Sequence, residues 1–169
     1  MKRFACLALA VALLGGPALA ADLPAAISPS APPRAIDPVT NESVALDPAP
    51  GPMHVVFLAT WCRPCLTEMP KLFDLEDRWK ADGYRLVLVA VSTRQTVERL
   101  REFRAQNQIP GRLLFDDGGS VATAFGAATI PAHVLVDRSG RIVARAGALD
   151  APFAQAIERL VRQEGRSKP

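Results

Sequence analysis

Sulfur and imidazole are scarce in this chain of 169 residues, which has three cysteines, three methionines and two histidines. That scarcity argues against a metal carrier, because a copper(I) site draws on several soft ligands. There is no second cysteine pair and no Met-rich stretch, and nothing offers a third ligand beside Cys62 and Cys65. His54 and His133 stand alone in apolar runs and read as ordinary strand residues. An excess of charge is missing too: 20 Lys and Arg against 17 Asp and Glu leave a net +3. With the two signs interspersed, there is no footprint for nucleic acid or an anionic membrane. The apolar run Phe4 to Leu14 has only eleven residues, against the about 20 that cross a bilayer. No internal repeat is visible.

What that run does resemble is the core of a secretory signal. Lys2 and Arg3 supply a positive start, Gly15-Gly16-Pro17 breaks the apolar helix, and Ala18-Leu19-Ala20 is an Ala-x-Ala cleavage site. The expectation is a signal peptide over 1–20 and export to the periplasm, with an uncleaved membrane anchor as the alternative. Cleavage would remove Cys6 and leave Cys62 and Cys65 as the only thiols. In an oxidising compartment a pair can be merely structural. A bridge closing a two-residue loop gains little chain entropy, however, because stabilisation grows with loop length. A redox role is the better reading.

Residues 21–52 are rich in Pro and Ala and read as an extension or linker. Within them, Val39 and Val44-Ala45-Leu46 around Thr40-Asn41-Glu42 suggest a short edge hairpin. Residues 53–169 form the expected domain, of α/β class. His54 to Ala59 is a buried strand and Leu66 to Lys80 a helix, kinked at Pro70. Arg85 to Val91 is a continuous apolar strand buried on both faces. Ser92-x-x-Gln95 resembles a capping box for a helix carrying Val97, Leu100 and Phe103. Arg112 to Phe115 is a short strand, and Ser120 to Phe125 a short helix stopped by Gly126. Val134 to Val136 and Ile142 to Ala144 flank an Asp137-Arg138-Ser139-Gly140 hairpin turn. Asp150 caps a last helix whose inner face carries Phe153, Ile157, Leu160 and Val161.

The chemistry concentrates at Trp61-Cys62-Arg63-Pro64-Cys65. A strand feeding Cys-x-x-Cys at a helix start is a thioredoxin-like redox signature. One helical turn brings the two Cα atoms within the about 4.4–6.8 Å that a disulfide needs. The free N–H groups at the helix start favour an anion, and Arg63 adds charge, so Cys62 is the expected nucleophile. Cys65, one turn in, is the expected resolving thiol. Glu68 lies three residues further on the same face. It is either the acceptor of the Cys65 proton or a solvated residue balancing Arg63 or Lys71. Trp61 is either part of a client-facing surface or plain packing. Pro131 can open a strand, and a cis Ile130–Pro131 bond would set backbone beside the disulfide.

The stretch Phe57 to Pro70 resembles the thioredoxin-like family of TlpA, ResA and cytochrome c biogenesis thiol–disulfide proteins. The likeness continues through Val89-Ala90-Val91-Ser92, the Phe115-Asp116-Asp117 turn, Ala124-Phe125-Gly126, Thr129-Ile130-Pro131 and Val136 to Gly140, over roughly residues 53 to 163. It implies a thioredoxin fold with a mixed central sheet flanked by helices and a helix–strand–helix insertion before a cis Pro131. It implies Cys62 as nucleophile, Cys65 as resolver and Glu68 as the active-site acid. Ile130, Pro131 and Trp61 would face the client, and Arg63 and Pro64 would tune the thiols. Val56 stands where thioredoxin carries a buried aspartate, which favours Glu68 as proton handler. Leu58 replaces a frequent tryptophan, and Ala132 follows Pro131 where threonine is common.

The resemblance also implies a function. The expectation is a monomeric thiol–disulfide oxidoreductase that reduces client proteins in cytochrome c maturation or copper-site assembly. Its electrons would come from a membrane thiol donor of DsbD or CcdA type, and it would need no organic cofactor or metal. The rival class is a copper(I) metallochaperone using the same two thiolates. A peroxidase ranks last, because Cys62 lacks the Pro-x-x-x-Thr-x-x-Cys context.

Overall fold

The computed structural model describes residues 24–166, so the expected signal peptide over 1–20 lies outside the described residues. Strands β1 (Arg34–Ile36) and β2 (Ser43–Ala45) precede β3 (Met53–Leu58), which leads into helix α1 (Arg63–Trp79). Strand β4 (Arg85–Val91), α2 (Val97–Gln106), β5 (Arg112–Asp116) and α3 (Ser120–Phe125) follow. Strands β6 (Ala132–Val136) and β7 (Ile142–Ala146) and helix α4 (Ala151–Arg166) complete the chain. The strands form one mixed sheet in the order β2-β1-β5-β4-β3-β6-β7. Strands β3, β4 and β5 are parallel, while β6 and β7 continue antiparallel on one side and β1 and β2 on the other. The stretch α2-β5-α3 is the insertion expected before Pro131.

Period-two alternation divides the central strands between two cores. Val56 and Leu58 of β3, Leu86 and Leu88 of β4 and Leu135 of β6 face α1, α2 and α4, meeting Leu72, Leu100, Phe153 and Ile157. Val55, Phe57, Val87, Val89 and Val134 face the other way, toward Val121 and Phe125 of α3. All six residues of β3 are buried, because it lies between β4 and β6 and is covered on both faces. Its end is therefore a fixed platform for the loop that follows.

The proline-rich segment differs from the linker expected over 21–52. Ile27, Ala35 and Leu46 are buried in the second core, and Ile36 is paired with Phe115 of β5. The first hairpin strand lies upstream of Val39, which sits exposed in the turn. The prolines punctuate this segment without keeping it off the domain, since its apolar residues have a sheet face to cover. Gly140, at φ 86°, passes against the carbonyl of Ile27, where a Cβ would collide.

The expected capping box is absent as well. Thr96 caps α2, accepting from Arg99 N, and the Gln95 side chain turns toward the loop after β3. Asp116 is fully buried and closes the start of α3, its Oδ1 accepting from Val121 N at 2.9 Å and its Oδ2 from Ala122 N at 2.8 Å. Asp116→Ala strands both donors and is expected to cost about 2–4 kcal/mol. Urea denaturation checks this: the midpoint falls while the m-value stays constant, and Asp116→Asn loses less.

Candidate active site

The buried β3 delivers the chain to a tight turn in which Cys62 N donates to Ala59 O at 3.0 Å. Cys62 is the N-cap of α1, with extended backbone (φ −83°, ψ 94°), and its Sγ accepts from Cys65 N at 3.4 Å. Pro64 sits in the first turn, where its missing N–H costs no helical bond. No acidic residue occupies that turn to offset the positive helix end. Cys62 and Cys65 are joined in a disulfide with Cα atoms 5.3 Å apart. Both are nearly buried, Cys62 at 5% exposure and Cys65 at 2%, so Cys62 is the more approachable sulfur. Helix α1 runs on through Pro70 as a single element to Trp79.

The loop carrying the cysteines is clamped from the β4–α2 connection. The Gln95 carboxamide oxygen accepts from both Thr60 N and Thr60 Oγ1 at 2.9 Å, and its amide donates to Val91 O. Trp61 Nε1 donates to Thr93 O at 2.9 Å, and the Arg94 guanidinium lies 4.2 Å from the centre of the Trp61 ring. Trp61 is still 42% exposed. It lines an open groove of about 360 Å³ together with Thr93, Gly119, Ala127, Thr129 and Ile130. Ile130 also packs on the core cluster that contains Cys62 and Cys65. The Ile130–Pro131 bond is cis, as the resemblance implies.

Glu68 is held on the inner side of α1, away from the Arg63 or Lys71 partners that a solvated residue would take. Its Oε1 accepts from Leu149 N at 3.0 Å and its Oε2 meets His133 Nε2 at 3.0 Å. His133 Nδ1 meets His54 Nε2 at 3.1 Å, and His54 Nδ1 meets Tyr84 Oη at 2.7 Å. Both imidazoles are fully buried, with Phe153 of α4 packed against them at ring-centre distances of 5.0 and 5.6 Å. Burial, then the neighbouring His133, holds the His54 pKa well below its ordinary value. Burial lowers that of His133 too, although Glu68 pulls the other way. Burial pushes the Tyr84 phenol up, with Glu76 adding to the effect. Tyr84, His54 and His133 therefore form a continuous hydrogen-bonded chain of neutral groups that leads to Glu68. Among the described residues, no three of His, Cys, Asp and Glu form a cluster suited to a metal.

The comparisons agree with this geometry. The sequence profile of the AhpC/TSA family matches residues 27–145. The chain belongs to the AhpC/TSA family. Thiol-disulfide oxidoreductase ResA of Bacillus thuringiensis subsp. konkukian is 28% identical over 75 residues, covering 44% of this chain and 42% of ResA. Sporulation thiol-disulfide oxidoreductase A of Bacillus subtilis is 28% identical over 76 residues, 44% of this chain and 46% of that protein. The matched stretch thus spans less than half the length of either curated relative. A thioredoxin-family thiol:disulfide interchange protein from Chlorobium tepidum superposes with a TM-score of 0.65 at 20% identity, over 83% of this chain and 98% of that one. At that identity the likeness establishes the thioredoxin fold. The resemblance to TlpA- and ResA-type proteins holds.

Sequence reasoning passed over His54 and His133 in this AhpC/TSA chain. A signal was there: each is a polar residue within a run destined for a doubly covered strand, where it needs a partner. The pairing needs the register to be seen. His133 lies opposite Val56, two residues from His54 on the same face of β3. Gln95 and Tyr84 escaped for the same reason, because their partners are 30 or more residues away.

Both histidines are neutral in the fold where an unfolded histidine, at about 6.5, takes up a proton. The unfolded chain then binds more protons, so stability is present above that pH and is lost on acidification. The slope below pH 6.5 approaches about 1.4 kcal/mol per pH unit from His54, which burial holds well down, and His133 adds to it only as far as its own lowered pKa. Urea unfolding between pH 7.5 and 5 measures it. His54→Phe should remove the larger share of the histidine-dependent slope, and an unchanged slope would contradict neutral burial of His54.

Proposed function

We propose that this chain is a periplasmic thiol–disulfide oxidoreductase that reduces disulfides in exported client proteins. The observation that carries this reading is the Cys62–Cys65 disulfide at the start of α1, with Cys62 as the N-cap. Cys65 N, in the first turn, is aimed where a negative sulfur would sit. A groove bounded by Trp61 and Ile130 lies alongside. The activity named for ResA and for sporulation thiol-disulfide oxidoreductase A points the same way.

The reduced protein acts in two displacements. The Cys62 thiolate attacks one sulfur of a client disulfide, forming a mixed disulfide and releasing the other sulfur as a thiolate, which is protonated. Cys65 gives its proton to the Glu68 carboxylate and attacks Cys62 Sγ. That closes the Cys62–Cys65 bond and releases the second client thiol. Two electrons pass from the dithiol to the client. Trp61, Ile130 and Pro131 form the client-facing surface, and Arg63 and Pro64 tune the helix start. The cycle restarts when a membrane thiol donor of DsbD or CcdA type reduces the bond. Clients in cytochrome c maturation or copper-site assembly fit the resemblance drawn from the motifs. The x-Pro-Cys form of the active-site motif favours the reducing direction.

Cys65→Ser removes the second displacement, so it should accumulate mixed disulfides through Cys62, seen as slower bands on non-reducing gels. Cys62→Ser should accumulate none. If Cys65→Ser forms no adduct with any disulfide, the oxidoreductase reading is wrong.

A further inference from the structure

Every ring nitrogen of His54 and His133 is used in a chain that ends on Glu68. A neutral imidazole has one donor and one acceptor, so the chain has a direction. With Glu68 ionised, its oxygens accept from Leu149 N and from His133 Nε2–H. His133 Nδ1 must then accept from His54 Nε2–H, and His54 Nδ1 from the Tyr84 hydroxyl. All polar atoms are satisfied. A proton placed on Oε1 would face the Leu149 N–H donor. A proton placed on Oε2 would face the His133 N–H unless both rings changed tautomer and Tyr84 turned from donor to acceptor. Protonating Glu68 therefore breaks one hydrogen bond or reverses three.

We propose that His133, held in one tautomer by His54 and Tyr84, is a positioning residue that fixes in one orientation the Glu68 carboxylate, the group assigned above to accept the Cys65 proton. The inference rests on the oxidoreductase reading and adds residues to it. The groups facing the chain are Glu68 and Glu76 from α1, Asp150 just before α4, Phe153 from α4, and Tyr84 just before β4. Asp150 acts on His133 and Glu76 on Tyr84, and both acids favour donation by the group they face. No cation faces His133 or Tyr84 among the groups that act on them.

The test is the rate at which the mixed disulfide of Cys62 with glutathione closes to Cys62–Cys65, followed from pH 4 to 9 in the full chain. His133→Phe should slow that closure about tenfold, because the carboxylate loses the partner that orients it. His133→Gln, whose amide can donate in place of Nε2–H, should restore most of the rate. In a Glu68→Gln background, His133→Phe should change the rate less than twofold, because the histidine acts through the carboxylate. Should His133→Phe fail to fold, His54→Phe carries the test, with a smaller slowing. An unmoved profile, or equal slowing in both backgrounds, would overturn the proposal. If mixed disulfides form but their closure ignores Glu68→Gln, this inference fails and the oxidoreductase reading stands; if none form, the reading itself fails.

Discussion

The parallel pairing of β3 with β4 is the constraint on which the site depends. Strand β3 is matched to β4 along its whole length and to β6 on its other edge, and none of its residues reaches solvent. A strand so enclosed cannot slip register without turning a whole hydrophobic face outward. Its carboxyl end is thereby fixed, and α1 starts five residues later with Cys62 as its cap. The reactive sulfur is placed by the most rigid element of the fold, and the helix end supplies the electrostatics.

The same enclosure explains the polar chain beneath the site. A histidine at position 54 would be costly in a strand covered on both faces, unless each ring nitrogen had a partner. Antiparallel β6 brings His133 to one side, and the residue preceding β4 brings Tyr84 to the other. Strand pairing that packs the core also assembles a line of hydrogen bonds leading to Glu68. The Gln95 clamp works similarly on the outer side, tying Thr60 to the end of β4. Two side chains, Gln95 of the β4–α2 connection and His133 of β6, thus hold the loop and the acid that flank the disulfide.

Much of this was legible in the order of residues. Alternation and turn chemistry located the strands from β3 onward, and Gly126 and Asp150 marked helix ends where the structure has them. The Cys-x-x-Cys spacing placed the disulfide, and the motif resemblance placed the cis Pro131 and singled out Glu68. Three features were not legible. The prolines hid the buried Ile27, Ala35 and Leu46, because composition reports stiffness and says nothing of which face a residue covers. Ser92 and Gln95 matched a capping pattern, yet Gln95 gained more from bonding Thr60, and Thr96 was better placed to cap. His54 and His133 lie 79 positions apart, and only the register of β3 against β6 makes them neighbours.

The central claim is that Cys62 and Cys65 form a reversible couple poised to give electrons to client disulfides. Equilibrating the chain with glutathione or dithiothreitol at pH 7 gives the potential of that couple directly. The account predicts a value near that of thioredoxin, about −270 mV. A value near that of DsbA, about −120 mV, would mark an oxidant and contradict it.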